Sequence, residues 1–405
     1  MPSRRRKNPF TLPLHRSSPF AVNDSNHRQL LSPHHLIIGG GVIGLSVAWE
    51  LANRGLRVSV LDQGAIGQGT SWAAGGILPP NQFDTAVDPL DRLRGFSHRR
   101  IAPWCDRLQK VTGIDCGYRR CGGYYLADTP GEKAAMIGTA DYWDEMQIEC
   151  QSISPDELAS RQPALSDWCT RHPDAGVWFA PGEEQIRPPR LLKALRSACE
   201  SSGVELREFC AVDQIDPETG NVHLADDETI TADKVIVCNG AWAGRLLPDQ
   251  RLRNSVVPVR GQIVLMRTPQ PLLSSVINIG HRYLLCRDDG RTLVGSCEEE
   301  VGFDLSTTDR AIDQLKQFAY NLCPPLQNAQ IERTWSGLRP LTFDGFPMIG
   351  PLPGSKHVLV ATGHFRSGIH LAFGTAELVA DIVQSKTPML DVADFRVGKQ
   401  LANTA

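Results

Sequence analysis

Leu36-Ile37-Ile38-Gly39-Gly40-Gly41-Val42-Ile43-Gly44, followed by Leu45-Ser46-Val47-Ala48-Trp49-Glu50-Leu51-Ala52, is the stretch whose reading decides the fold. Its first three residues form an apolar run too short for a helix and read as a buried strand. A G-x-G-x-x-G turn comes next, then apolar residues at helical spacing, with Gly55 where a helix stop belongs. A second strand, Val58-Ser59-Val60-Leu61, ends on Asp62, with Gln63 beside it. Strand, glycine turn, helix, strand and acid in this order make a dinucleotide-binding front. Gly39 allows the tight turn, Gly41 lets backbone approach a pyrophosphate, and Gly44 lets helix and strand pack closely. The helix start at Val42 and Ile43 offers free N–H groups and a positive dipole end to phosphates. Asp62 stands where a carboxylate binds ribose hydroxyls.

Working outward, Gly67-Gln68-Gly69-Thr70-Ser71-Trp72-Ala73-Ala74-Gly75-Gly76 replaces the direct crossover to a third strand with small residues. Such a segment, through Gly69, Thr70, Ser71, Ala74, Gly75 and Gly76, lets a large planar cofactor lie against backbone. Arg190 to Gly203 reads as an amphipathic helix and Val204 to Val222 as strands. Lys234-Val235-Ile236-Val237-Cys238 reads as a buried parallel-type strand running into Asn239-Gly240. Cys121 to Phe179 and Val257 to about Ser296 alternate short aromatic and β-branched runs with turns, the texture of an antiparallel sheet.

The 405 residues, 41% apolar and 21% charged, suit two intimately packed soluble domains. Residues 1–35 hold six basic groups against Asp24 alone, a net +5, so the rest of the chain carries −8 of the overall −3. That tail has no apolar period and is expected to be disordered. The charge balance gives no reason to expect nucleic acid. No apolar stretch approaches the roughly 20 residues of a membrane span, so no stable membrane insertion is expected. Eleven scattered cysteines without zinc spacing read as reduced thiols of a cytoplasmic protein, with no metal site.

Near the other end lie Trp335-Ser336-Gly337-Leu338-Arg339-Pro340, Asp344-Gly345-Phe346-Pro347-Met348-Ile349-Gly350-Pro351 and Gly363-His364-Phe365-Arg366-Ser367-Gly368-Ile369. With the front motifs, Pro258-Val259-Arg260-Gly261-Gln262 and Tyr283-Leu284-Leu285-Cys286-Arg287, the chain resembles the D-amino acid oxidase family from about Leu36 to about Phe395. Within it, the resemblance is to bacterial glycine oxidases associated with thiamine thiazole synthesis. It implies an α/β fold in which a Rossmann-like FAD-binding domain (36–113, 183–257 and 333–395) interleaves with an antiparallel-sheet α+β substrate domain (114–182 and 258–332).

The resemblance also implies noncovalent FAD, because Gly337 and Leu338 stand where a sarcosine oxidase type carries its flavin-bearing cysteine. It assigns Val212 and Gly240 to the cofactor, with Gly363, His364, Phe365, Arg366, Ser367, Gly368 and Ile369 beside the flavin. Arg339 is the expected carboxylate anchor, since its planar fork binds a carboxylate in two places and its apolar context demands an anion. Tyr283 and Arg366 are its expected substrate-side partners. No acid–base catalyst is needed, because the flavin accepts a hydride and the protein supplies position and field. The implied partners are a small amino acid and molecular oxygen, in a monomer or a homo-oligomer. Imine or 2-oxo acid, ammonia and hydrogen peroxide are the implied products. The alternative is a dehydrogenase passing electrons to another carrier. Ser367, His370, Phe373 and Glu298 depart from the family pattern; Glu298 stands where a methionine commonly lines the pocket, and its carboxylate there either favours a longer or cationic amine or points to solvent.

Overall fold

The computed structural model describes residues 35–399. The basic tail expected to be disordered lies outside the described residues, except His35, which opens the first strand. The apolar runs that read as buried strands sit together in a six-stranded sheet. Its order is Met348–Pro351, Val358–Thr362, Lys234–Val237, His35–Ile38, Val58–Leu61, Glu205–Arg207. Only the outermost pair, Met348–Pro351 with Val358–Thr362, is antiparallel. Both faces are covered, which is why these strands are continuously apolar. Ile37, Val60, Ile236 and Leu359 pack with the helices Val42–Asn53, Pro89–Thr112, Pro188–Ser201 and Gly368–Val383. Leu36, Leu61, Val235 and Val360 pack on the other side with the small antiparallel sheet of Val212–Ile215, Asn221–Leu224 and Thr229–Thr231.

A second sheet has eight strands, in the order Gln330–Thr342, Val256–Arg267, Arg291–Gly295, Arg282–Cys286, Val276–Ile279, Gly123–Ala127, Gly176–Ala180, Gln151–Ile153. It is antiparallel but for Val276–Ile279 against Gly123–Ala127, where strands far apart in the chain meet without a hairpin to dictate direction. One face buries Tyr124, Ile277, Leu284, Val294 and Val264 against Leu315, Ala319 and Leu322 of the helix Asp309–Leu322. The other face looks into the cavity described below.

Two sequence expectations change. The segment 121–179 is not all strand, because the helix Pro130–Glu145 interrupts it. Thr129 and Glu132 close a capping box at its start, and that local signal outweighed the β texture around it. The boundaries expected at 257/258 and 332/333 also fall inside strands. Val256–Arg267 and Gln330–Thr342 pair along their full lengths, so the ladder holds Arg333 to Thr342 in the eight-stranded sheet.

Candidate active site

The glycine turn is built by close approach. Gly39 has φ +106°, and a Cβ there would lie 2.6 Å from the Asn239 Cα. At Gly44 a Cβ would collide with the Gly39 carbonyl oxygen, so helix Val42–Asn53 sits directly on its strand. Half-buried Asp62 closes the turn from the neighbouring strand, accepting from Gly40 N at 2.7 Å and Gly64 N at 2.8 Å. Burial raises the Asp62 pKa despite these two hydrogen bonds. Ser71 Oγ accepts from Val42 N at 3.0 Å, tying the small-residue segment to the helix start.

A cavity of about 770 Å³ opens here and runs to the eight-stranded sheet. Of the residues expected at a cofactor, Gly39, Gly41, Val42, Ile43, Asp62, Gln63, Gly69, Thr70, Ser71, Ala74, Gly75, Gly76, Val212, Gly240, His364, Phe365, Arg366, Ser367, Gly368 and Ile369 line it. Gly44 and Gly363 do not. Gly44 packs on the strand, and a Cβ on Gly363 (φ +81°) would press on Thr342. The cavity fits a dinucleotide on a specific ground: Asn239, which lines it, buries an Oδ1 with no hydrogen-bond partner among the described residues. A buried acceptor of this kind calls for a donor from a ligand.

At the far end, strand period places alternate residues on the cavity face. Tyr125, Asn278, Tyr283, Gly295, Ile263 and Trp335 form one row across six strands. Gly337 and Arg339 continue that face along the last strand. Trp335 Nε1 donates to Ala73 O at 3.0 Å and Thr70 Oγ1 donates to Leu338 O at 2.8 Å, so this strand also grips the cofactor segment.

The Arg339 guanidinium lies over Gly261, where a Cβ would sit 2.5 Å from its Cζ. Nη1 donates to Cys297 O at 3.1 Å and Nη2 to Ser296 Oγ at 2.5 Å. It forms no ion pair among the described residues, and burial, with the positive charge of Arg366, lowers its pKa. The Tyr283 ring is held between glycines: a Cβ on Gly75 would be 2.7 Å, and one on Gly295 2.5 Å, from its hydroxyl oxygen. That hydroxyl has no hydrogen-bond partner among the described residues. Burial raises its pKa, while Arg339 and Arg366 pull the other way.

Arg366 is at the rim, donating to Glu298 Oε1 at 3.0 Å. Of the two alternatives for Glu298, the structure takes the outward one: its carboxylate lies off the cavity and is spent on Arg366. His364 is buried, bonds Thr375 Oγ1 through Nε2 at 3.1 Å, and has its pKa pushed down to about 3 by burial. It is neutral at ordinary pH.

The remaining departures share one cause, the helix Pro89–Thr112. Ser367 Oγ accepts from Arg94 at 3.5 Å, His370 meets His98 at 3.1 Å, and Phe373 stacks on Trp104 with centroids 4.4 Å apart. Residues 94, 98 and 104 lie on one side of that helix, which packs along Gly368–Val383.

Buried Arg287, which also forms no ion pair among the described residues, donates to Gly75 O and to Gln185 Oε1, both at 2.7 Å. Sequence reading missed this clamp, and it missed Gly40, Gly261 and Ser296, whereas Asn239 was expected beside the cofactor and lines the cavity. The landmark runs containing Gly261 and Arg287 were the available signal.

A family model described as FAD dependent oxidoreductase matches residues 34–382. The chain belongs to this family. The glycine oxidase of Geobacillus kaustophilus is 33% identical over 367 residues, covering 90% of this chain and 96% of that one. The bifunctional protein ThiO/ThiG of Synechocystis sp. is 34% identical over 366 residues, 88% of this chain and 52% of that protein. The crystal structure of the Geobacillus kaustophilus glycine oxidase superposes with a TM-score of 0.85 at 32% identity, over 90% of this chain and 98% of that one. The protein is thus an FAD-dependent oxidoreductase, similar in sequence and fold to glycine oxidases. No helix among the described residues is long and apolar enough to cross a membrane.

Proposed function

We propose that the protein oxidises a small amino acid (glycine, sarcosine or a small D-amino acid) with molecular oxygen as the electron acceptor. The products are the imine, hydrolysed to the 2-oxo acid and an amine or ammonia, and hydrogen peroxide. The observation that carries this reading is Arg339, a half-buried guanidinium without an ion pair among the described residues, on the cavity face of a strand that also bonds the cofactor segment. FAD, when bound, accepts the hydride from Cα.

The chain's own residues do the positioning. Two Arg339 N–H groups are fixed by Ser296 and Cys297, and the other three are left to grip a carboxylate. The Tyr283 hydroxyl, pinned between Gly75 and Gly295, is free to donate to the same carboxylate. Arg366, neutralised by Glu298, guards the mouth. Neutral His364 supports the turn and moves no proton. Asp62, Asn239 and the Val42 helix start would hold the cofactor, noncovalently, since Gly337 and Leu338 offer no thiol. The glycine oxidase and ThiO/ThiG relatives favour glycine as substrate and thiamine thiazole synthesis as the destination of the imine.

The test is an aerobic assay of purified yellow protein against glycine, sarcosine and small D-amino acids, reading peroxide. Acid should release all the FAD into the supernatant. Substrate-dependent flavin bleaching without peroxide would point to another electron acceptor. Silence across the panel would overturn the substrate class.

A further inference from the structure

The cavity continues past Tyr283 to a wall that oxidation at Cα does not use. Tyr125, Trp143 and Asn278 line this part. Behind the wall lies Glu183, with no exposed surface. Its carboxylate accepts from the Tyr125 hydroxyl and from Asn278 Nδ2, the latter at 3.2 Å. The recess is made for it: a Cβ on Gly123 would lie 2.7 Å from Oε1. The Glu183 backbone oxygen accepts from Cys121 N and Gly122 N at 3.0 and 2.9 Å.

Among the described residues Glu183 has no ion pair. A buried carboxylate ordinarily has a cation beside it, because charge is costly away from water. Burial holds its pKa up to about 7. The other charged or titratable groups that act on Tyr125, Cys121 and Cys150, add no positive charge. The Tyr125 hydroxyl and one N–H of Asn278 are turned inward to Glu183. The Tyr125 lone pairs and the Asn278 Oδ1 are thereby left as acceptors for a ligand. Trp143 and Tyr125 meet edge to face with centroids 5.1 Å apart, and aromatic faces of this kind attract cations.

The distance to the carboxylate anchor sets what would reach this wall. Ser296 and Cys297, which fix the Arg339 guanidinium, continue the strand Arg291–Gly295. From that strand Asn278 is two strand spacings away and Tyr125 three, about 10 and 14 Å at about 4.8 Å per spacing. One hydrogen bond of about 3 Å joins guanidinium to carboxylate. Five or six zigzag bonds of about 1.5 Å and a second hydrogen bond span the rest. Glycine is too short to reach.

We propose that Tyr125 and Asn278, backed by the buried Glu183, form a distal subsite for a terminal ammonium, so that the enzyme favours amino acids extended by a cation about five bonds beyond Cα. The proposal rests on Arg339 holding the carboxylate, and otherwise adds a substrate class to the reaction above. Glu183 is a positioning residue that acts through its two partners.

The test compares two ligands that cannot be oxidised at a Cα amine, hexanoate and 6-aminohexanoate, by perturbation of the flavin spectrum of the holoenzyme. The wild type should bind 6-aminohexanoate about tenfold or more tightly than hexanoate, the yield of one charge-assisted hydrogen bond. In Glu183→Gln the preference should shrink to about twofold or less, with FAD content and melting temperature reporting that the fold survives. Tyr125→Phe, which removes only the phenol oxygen, should reduce the ratio independently and carries the test should Glu183→Gln lose FAD. Equal binding of the two ligands by the wild type, or an unchanged ratio in the variants, overturns the subsite. Glycine and sarcosine are assayed alongside. No peroxide from them with the preference intact defeats the proposed small substrate alone, and peroxide without the preference defeats the subsite alone.

Discussion

Arg339→Ala is the most searching perturbation, because among the described residues the guanidinium spends two of its five N–H groups and meets no carboxylate. Its removal orphans Ser296 Oγ and Cys297 O, but the vacated space opens on the cavity and lets water donate to both, so the fold and FAD content should survive. The substrate carboxylate loses far more. Removing one partner of a buried charged pair costs about 3–5 kcal/mol. At about 1.36 kcal/mol per decade, kcat/KM for glycine should fall roughly two hundred- to five thousand-fold. Arg339→Lys keeps the charge but loses the fork, and should fall between wild type and alanine. The assay is steady-state peroxide formation with glycine, sarcosine and a simple amine that has no carboxylate. The amine should lose far less than the amino acids. Equal losses for both kinds of substrate would refute the reasoning and turn the search for the anchor to Arg366.

Three further outcomes follow from the geometry and burial of the site. Gly261→Ala places a Cβ 2.5 Å from the Arg339 Cζ, so KM for glycine should rise while FAD stays bound; unchanged KM would mean the guanidinium has room to move. Asp62→Ala removes the acceptor of Gly40 N and Gly64 N, and equilibrium dialysis should show FAD held about tenfold or more weakly, the cost of orphaned donors in the turn. His98, His364 and His370 all have pKa values lowered by burial. Their contribution to stability is complete above about pH 6.5, the unfolded value, and is lost as pH falls through that value toward the folded ones. His370→Leu should therefore flatten the fall in stability between pH 6 and 5 by up to about 1.4 kcal/mol per pH unit. Denaturation curves across that range would show the same slope in both proteins if His370 were protonated in the fold.

The front of the fold was legible because Leu36 to Asp62 carries its instructions locally, in strand period, glycine placement and helix spacing. The residues lining the cavity were legible for a similar reason, since the turns at 67–76 and 363–369 are short and rich in small residues. What stayed hidden depends on partners distant in sequence. Glu183 gives no sign of burial in its own neighbourhood, where its nearest neighbours Gly182, Glu184 and Gln185 are not apolar. Its recess is made by Gly123 and its partners by Tyr125 and Asn278. The direction of Glu298 stayed open because Arg366, which captures it, lies 68 residues later. The helix Pro130–Glu145 was missed although Thr129 and Glu132 announced it, because aromatic residues on either side drew attention to β period.

One strand, Gln330–Thr342, bonds Ala73 through Trp335, receives Thr70 at Leu338 and presents Arg339 to the cavity. Its side chains alternate faces, so inserting or deleting a single residue between Trp335 and Arg339 would turn the guanidinium to the opposite side of the sheet. Substitutions there can be absorbed, but changes of length cannot. Loop grafts and recombination junctions intended to alter this enzyme's substrate range therefore belong in the irregular segment 298–307, where the spacing between flavin site and anchor is not being counted.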